Sequence, residues 1–143
     1  MKALSLWQPW ASMLFLKDSA GEFLKWAETR SWGTNYRGKL VIHAAKRPVD
    51  HWEIVGILDD LETAGADYRK LPLGAALGIV EVTNCQSMTP ELITLQSERE
   101  RRAGNWERGR VAIYFGKDRI LFPEPILMRG SQGFWETPEG VIP

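Results

Sequence analysis

Between residues 25 and 30 the chain places an ammonium, a carboxylate and a guanidinium close together, as Lys25, Glu28 and Arg30 within Leu24–Trp32. Trp26, Glu28, Arg30 and Trp32 alternate with Ala27, Thr29 and Ser31. That is the period of a strand, so Glu28 and Arg30 share one face. A carboxylate that only accepts, beside a fork of donors, suits the edge of a nucleobase or a phosphate. Lys25, at the start of the strand, adds a point charge, or a base if it is desolvated. The same three residues also describe an exposed ion pair of small energetic value. Taken alone, they favour that plainer reading. Trp32 and Trp10 offer flat faces on which a base could stack, although Trp10 fits better as the staple of a first helix. Tyr36 and Arg37, in the turn that follows, would reach a phosphate or plug the end of the sheet. Lys46 and Arg47 would lean over the same opening.

Other groups that could carry chemistry read more plainly. His43 alternates with Val41 and Ala45, the pattern of a packed, hydrogen-bonded residue rather than a catalyst. Cys85 is the one cysteine, which excludes an internal disulfide and any multi-cysteine metal site. No metal and no cofactor are expected, and a reducing, cytoplasmic setting is. Arg99, Arg101, Arg102, Arg108 and Arg110 are interleaved with Glu98, Glu100 and Glu107. They read as a solvated helix and loop, with a secondary phosphate-contacting strip as the alternative. The formal net charge of zero argues against a protein that coats polyanions. The charge is nevertheless polarised: residues 1–47 carry eight Lys/Arg against three Asp/Glu, and residues 48–143 carry ten against fifteen. One face could therefore attract phosphate without a high overall pI, although charge alone favours a chance imbalance of solvated side chains. Seven tryptophans are many for 143 residues, and one or two need not be core.

The elements that must position these groups are short. Ala3 to Trp7 reads as a strand that Gln8-Pro9 stops, and residues 9–17 read as a short helix. Leu40 to Ala45 is a second strand after the Trp26–Trp32 strand. Asp50 and Glu53 form a capping-box pattern ahead of a helix whose apolar stripe is Trp52, Val55, Leu58 and Leu61. Leu77 to Thr83 reads as a strand buried on both faces. Thr89-Pro90-Glu91 opens another helix, with Leu92 and Leu95 turned inward. Val111 to Phe115 and Arg119 to Leu121 read as strands paired around Gly116-Lys117-Asp118. Pro123-Glu124-Pro125 fixes an edge segment, and Gly130 to Trp135 a closing turn. No repeat, linker, membrane-spanning run or secretory signal is legible. A single domain over residues 1–143 is expected, of α+β class, with a barrel or strongly curved sheet and peripheral helices.

The motifs in this order resemble a known family. Leu4-Ser5-Leu6-Trp7-Gln8-Pro9-Trp10-Ala11-Ser12 is similar to the opening of ASCH domains, named after activating signal cointegrator 1. Glu28-Thr29-Arg30-Ser31-Trp32, Tyr36-Arg37-Gly38 and Leu40 to Ala45 match the same family in the same order. Leu77 to Val82 with Cys85, and the segment Gly130 through Trp135, continue the match. The resemblance implies a PUA-like barrel and a role with RNA, single-stranded nucleic acid or a modified nucleoside. The family's Gly-x-Lys-x-x-Glu-x-Arg signature is met by Lys25, Glu28 and Arg30, but Gly21 stands four residues before Lys25 rather than two.

Two functions of different class follow from that resemblance. The first is a binding module whose cleft uses Lys25, Glu28, Arg30, Trp32, Tyr36, Arg37, Lys46 and Trp10. The second is a hydrolase of RNA or of N4-acylated cytidine, with Lys25 and Glu28 as its catalytic groups. Related proteins that deacylate N4-acetylcytidine use a Lys-x-x-Thr register, whereas here Glu28 occupies the Thr position. Thr29 is one residue away, hence on the opposite face of a strand. Attack by water assisted by Glu28 or Glu81 would be needed instead. Binding is accordingly the expected function.

Overall fold

The computed structural model describes residues 1–143. Seven strands form one sheet: β1 (Lys2–Leu6), β2 (Ala27–Arg30), β3 (Gly38–Ala44), β4 (Ala75–Ser87), β5 (Val111–Phe115), β6 (Ile120–Leu127) and β7 (Phe134–Glu136). Along the sheet the order is β2-β5-β4-β3-β1-β7, with β6 paired to β4 beside this path. Only β1 and β3 run parallel; every other pair is antiparallel. β1 and β7 pair through Leu4 and Phe134, which ties the two ends of the chain together. No helix is long and apolar enough to cross a membrane.

Of the two expected forms, barrel or strongly curved sheet, the sheet does not close into a barrel, because β2 and β7, the two ends of the path, do not pair. The sheet is nevertheless rolled. β2 and β1 lie four strand spacings apart, roughly 19 Å in a flat sheet, yet the Arg30 side chain of β2 donates to the Ser5 carbonyl of β1 at 3.0 Å. A side chain bridges the opening where backbone pairing does not. Leu4, Leu6, Leu40, Ile42, Leu77, Val80, Val82, Ile113 and Phe115 fill the inside of this roll. Each such buried apolar side chain contributes about 1.5–3 kcal/mol. Alternate residues face outward: Ala3, Val41, Ala76 and Phe122 pack one outer layer, and Ala27, Met88 and Ala112 another.

Several local expectations change. The first helix, α1 (Trp10–Met13), is shorter than residues 9–17. Gln8 explains its motif: its amide oxygen accepts from the Ser12 N–H at 3.0 Å and its nitrogen donates to the Pro72 carbonyl at 2.9 Å. The segment expected as one helix from Trp52 to Leu61 is broken into 3₁₀ turns at His51–Glu53 and Val55–Ile57 before α2 (Leu58–Thr63). A three-residue turn shifts the inward face relative to a 3.6-residue turn. Ile54, Ile57 and Leu61 are therefore buried, while Trp52 and Val55 point outward. The capping-box reading holds at Asp50, which accepts from the Trp52 N–H, but Glu53 pairs with Arg47 instead.

Past β4 the chain forms α3 (Pro90–Leu95), capped by Thr89, and α4 (Glu98–Arg102), capped by Ser97. Leu95, expected inward, is exposed because α3 ends there. β5 and β6 do not pair around Gly116-Lys117-Asp118. Both run antiparallel to β4, one on Val82–Ser87 and the other on Ala75–Ile79, so the chain continues in one direction between them. The 13-residue β4 takes both partners end to end, where a strand limited to Leu77–Thr83 could not.

Candidate functional site

β2 sets the geometry. Its register against β5 pairs Glu28 with Ile113 and Arg30 with Val111. Ile113 belongs to the inner core, so Glu28 and Arg30 face the inside of the roll, on one face as their spacing predicts. Glu28 binds a cation with each oxygen: Lys25 Nζ lies 3.1 Å from Oε1 and Arg30 Nε 3.0 Å from Oε2. The Lys25 side chain is fully buried, and its ammonium also donates to the Ala27 carbonyl. Glu28 is 12% exposed and Arg30 26%. The carboxylate and the guanidinium therefore present their outer edges to solvent while Lys25 anchors them from below.

A further carboxylate stands behind this group. Glu100, read from the sequence as part of a solvated run, is buried, with its oxygens accepting from the Trp26 and Ala27 N–H groups at 2.8 and 3.3 Å. Burial pushes its carboxyl above the usual range, while the nearby Lys25 charge pulls it back. Arg119 closes the same layer. It donates to the Gly116, Leu14 and Lys25 carbonyls, and its plane lies over Phe23 and Trp26. Burial lowers this guanidinium to about 10, against the opposing pull of Glu100. Neither role was legible, since each depends on α4 and the β5–β6 connection reaching β2. The long turn before Lys25 is also explained: Asp18 accepts from the Ala20 and Glu22 N–H groups and pairs with Arg99, and Gly21 adopts φ +81°.

Glu28 and Arg30 open into a cleft of about 1460 Å³, bounded by the ends of β1 and β3, by residues 102–105 and by residues 127–133. Trp10, Trp32 and Lys46 line it with them, as the sequence expectation grouped them. Trp32 stands edge-on to Phe134 with the Arg30 guanidinium 5.7 Å from its ring centre. Three expected residues lie outside the lining. Lys25 is beneath it, Tyr36 packs on Phe134, and Arg37 folds back on the Thr34 and Tyr36 carbonyls. Glu81 is exposed elsewhere, and the Thr29 hydroxyl accepts from the Asn105 N–H, on the face opposite Glu28.

The cleft also holds Trp7 and Arg129, which the sequence reading passed over, and Arg102 and Arg110, which it read as a solvated run with a secondary phosphate-contacting strip as the alternative. Trp7 is 51% exposed and lines it, with Arg47 stacked 3.8 Å from its ring centre and Arg47 in turn held by Glu53. The available signal was phase: Leu4 and Leu6 face inward, so the residue after Leu6 faces out. Arg102, Arg110 and Arg129 join Arg30 and Lys46, against Glu28 and Glu53 as the only acidic lining residues. Lys46 and Arg129 have no ion-pair or hydrogen-bond partner in the protein. A chain of zero net charge thus concentrates cations at one opening.

No curated protein matches the chain. The ASCH domain family model matches residues 4–118, a span that runs from β1 through β5 and contains Glu28, Arg30 and most of the cleft wall. On that match the chain belongs to the ASCH domain family, a PUA-like group.

Proposed function

We propose that this protein is a single-domain nucleic-acid-binding module that holds a base of single-stranded RNA in the cleft beside Glu28 and Arg30. The observation that carries this reading is the partly exposed Glu28–Arg30 pair, fixed by Lys25, opening between Trp7 and Trp32 at a rim that includes unpaired Lys46 and Arg129. The carboxylate offers acceptors to a base edge and the guanidinium offers donors. The indoles supply stacking faces, and the rim cations suit phosphate. Membership of the ASCH family supports the same reading. The Thr29 hydroxyl, engaged by Asn105 and turned from Glu28, favours binding over attack by a hydroxyl at Lys25.

Fluorescence anisotropy with a labelled single-stranded RNA tests this proposal. Affinity should fall with salt on a shallow slope of log K against log salt, on the order of −2 to −4, as expected for few phosphate contacts. Arg30→Ala and Trp7→Ala should each weaken binding by about tenfold or more, within the range of one stacked base. Wild-type affinity retained in both variants would remove the cleft from the binding path. A modified nucleoside that competes as well as the strand would make the free nucleoside the ligand instead.

A further inference from the structure

The outer face of the sheet carries a second polar cluster at this cleft, built from side chains that the nucleic-acid reading does not use. Ser5 on β1 and His43 on β3 are register partners across the parallel pair, with Ser5 Oγ 2.9 Å from His43 Nδ1. His43 Nε2 lies 2.8 Å from the Met128 carbonyl oxygen. A carbonyl only accepts, so Nε2 carries the ring proton, Nδ1 is bare, and the Ser5 hydroxyl donates to it. The Trp135 indole N–H donates to Ser5 Oγ at 3.2 Å, and its ring stands edge-on to His43 at 5.3 Å. Both Ser5 and His43 line the cleft. The backbone comes so close at Gly130 that a Cβ there would fall 2.4 Å from Ser5 Oγ. The amide N–H groups of residues 130–133 have no acceptor within the protein.

An oriented hydroxyl and a base locked in the receptive tautomer, side by side in an open cleft, are the nucleophile and base of an acyl-transfer site. We propose that Ser5 and His43 form a nucleophile–base dyad that hydrolyses a carboxylic ester whose alcohol portion carries a phosphate. Ser5 Oγ adds to the ester carbonyl as its proton passes to His43 Nδ1. The bond to the alcohol oxygen then breaks, and that oxygen leaves with the proton from His43. Water adds to the acyl-serine by the same route, releasing the carboxylic acid and restoring Ser5. The third member is a backbone carbonyl, not a carboxylate, and it stabilises an imidazolium less. The leaving group must therefore be a good one, which points to esters rather than amides. Lys46 and Arg129, unpaired at the same opening, supply the charge for a phosphate on the alcohol.

The full chain treated with an alkyl fluorophosphonate, followed by peptide mapping, tests the nucleophile. Wild type should gain one adduct, on Ser5, with loss of fluoride, and His43→Gln should slow its formation at least 100-fold. No adduct, an adduct elsewhere, or an unchanged rate in His43→Gln would overturn the dyad. Because the map is read on the wild-type protein, a poorly folded variant does not leave the question open. The substrate class is read with 4-acetoxyphenyl phosphate against phenyl acetate. A preference of about tenfold for the phosphate ester should disappear in Lys46→Ala/Arg129→Ala. Equal turnover of the two esters by wild type would overturn the phosphate assignment. RNA affinity of the wild type is measured separately, so failure here is distinguishable from failure of the binding proposal.

Discussion

Around Glu28 the cleft wall is made of charges, whereas around His43 it is made of neutral groups, and the two sit on opposite faces of one sheet. Glu28 divides its two oxygens between Lys25 and Arg30, and Lys25 has no exposed surface through which water could replace a lost partner. His43 is nearly as buried, but burial holds it below its ordinary pKa of 6.5. It is satisfied by a hydroxyl and a carbonyl, without an ion pair. The charged cluster depends on being complete, since removing one member strands a buried charge. The neutral cluster depends on close fit and on one tautomer.

Breaking the charged side should have the largest effect. Glu28→Gln leaves the Lys25 ammonium buried with only neutral acceptors, and should cost about 3 kcal/mol in urea denaturation. Replacing Lys25 by Met in the same chain should recover much of that loss. A cost below about 1 kcal/mol for Glu28→Gln would show that the Lys25 charge is relieved in some other way, and the contrast between the clusters would fail.

Crowding the neutral side should have the next largest effect. In Gly130→Ala the new methyl would fall 2.4 Å from Ser5 Oγ and 2.7 Å from the His43 ring. The loop must shift, at a cost of about 2 kcal/mol. Ser5→Ala should offset part of this, so the double variant should lose less than the sum of the two single losses. Strict additivity in thermal or urea unfolding would mean that the loop does not press on the dyad.

The smallest expected effect sharpens the comparison through pH. Because the folded-state pKa of His43 is depressed, the unfolded chain takes up the proton first as pH falls below 6.5. Stability should therefore decline as pH falls from 6.5 through the folded value, and His43→Gln should flatten that decline. An unchanged slope in His43→Gln would mean that another group controls stability in this window.

Local periodicity was informative where one strand carries its own signal. The alternation from Trp26 to Trp32 places Glu28 and Arg30 on one face, and β2 confirms it through register with Ile113 and Val111. His43 is packed and hydrogen-bonded as its alternation suggests, at 2% exposure with both ring nitrogens bonded, but the partner at Nδ1 is the Ser5 hydroxyl, which its own strand could not reveal. Legibility ended where a partner lies far along the chain. Glu100 is in a run of alternating charges, which ordinarily means a solvated helix, yet α4 presses that one residue onto β2. Trp52 and Val55 fell out of phase once 3₁₀ turns replaced the helix. β5 and β6 looked like a hairpin because strands flanking a Gly-Lys-Asp segment usually reverse, but β4 is long enough to hold both in one direction.

The sequence by itself determined the α+β class, the strand that carries Glu28 and Arg30, and the family, because these rest on local spacing and on motifs in fixed order. The tertiary structure alone decided that Lys25 is an anchor below the cleft rather than part of its wall, that the outward Trp7 borders the same opening as Arg30, and that Ser5 meets His43 under Gly130. The last two join residues tens of positions apart, and Lys25 lies in a layer closed by Glu100 and Arg119 from far along the chain. The roll of the sheet brings them together, and no pattern within a single element encodes how far a sheet rolls.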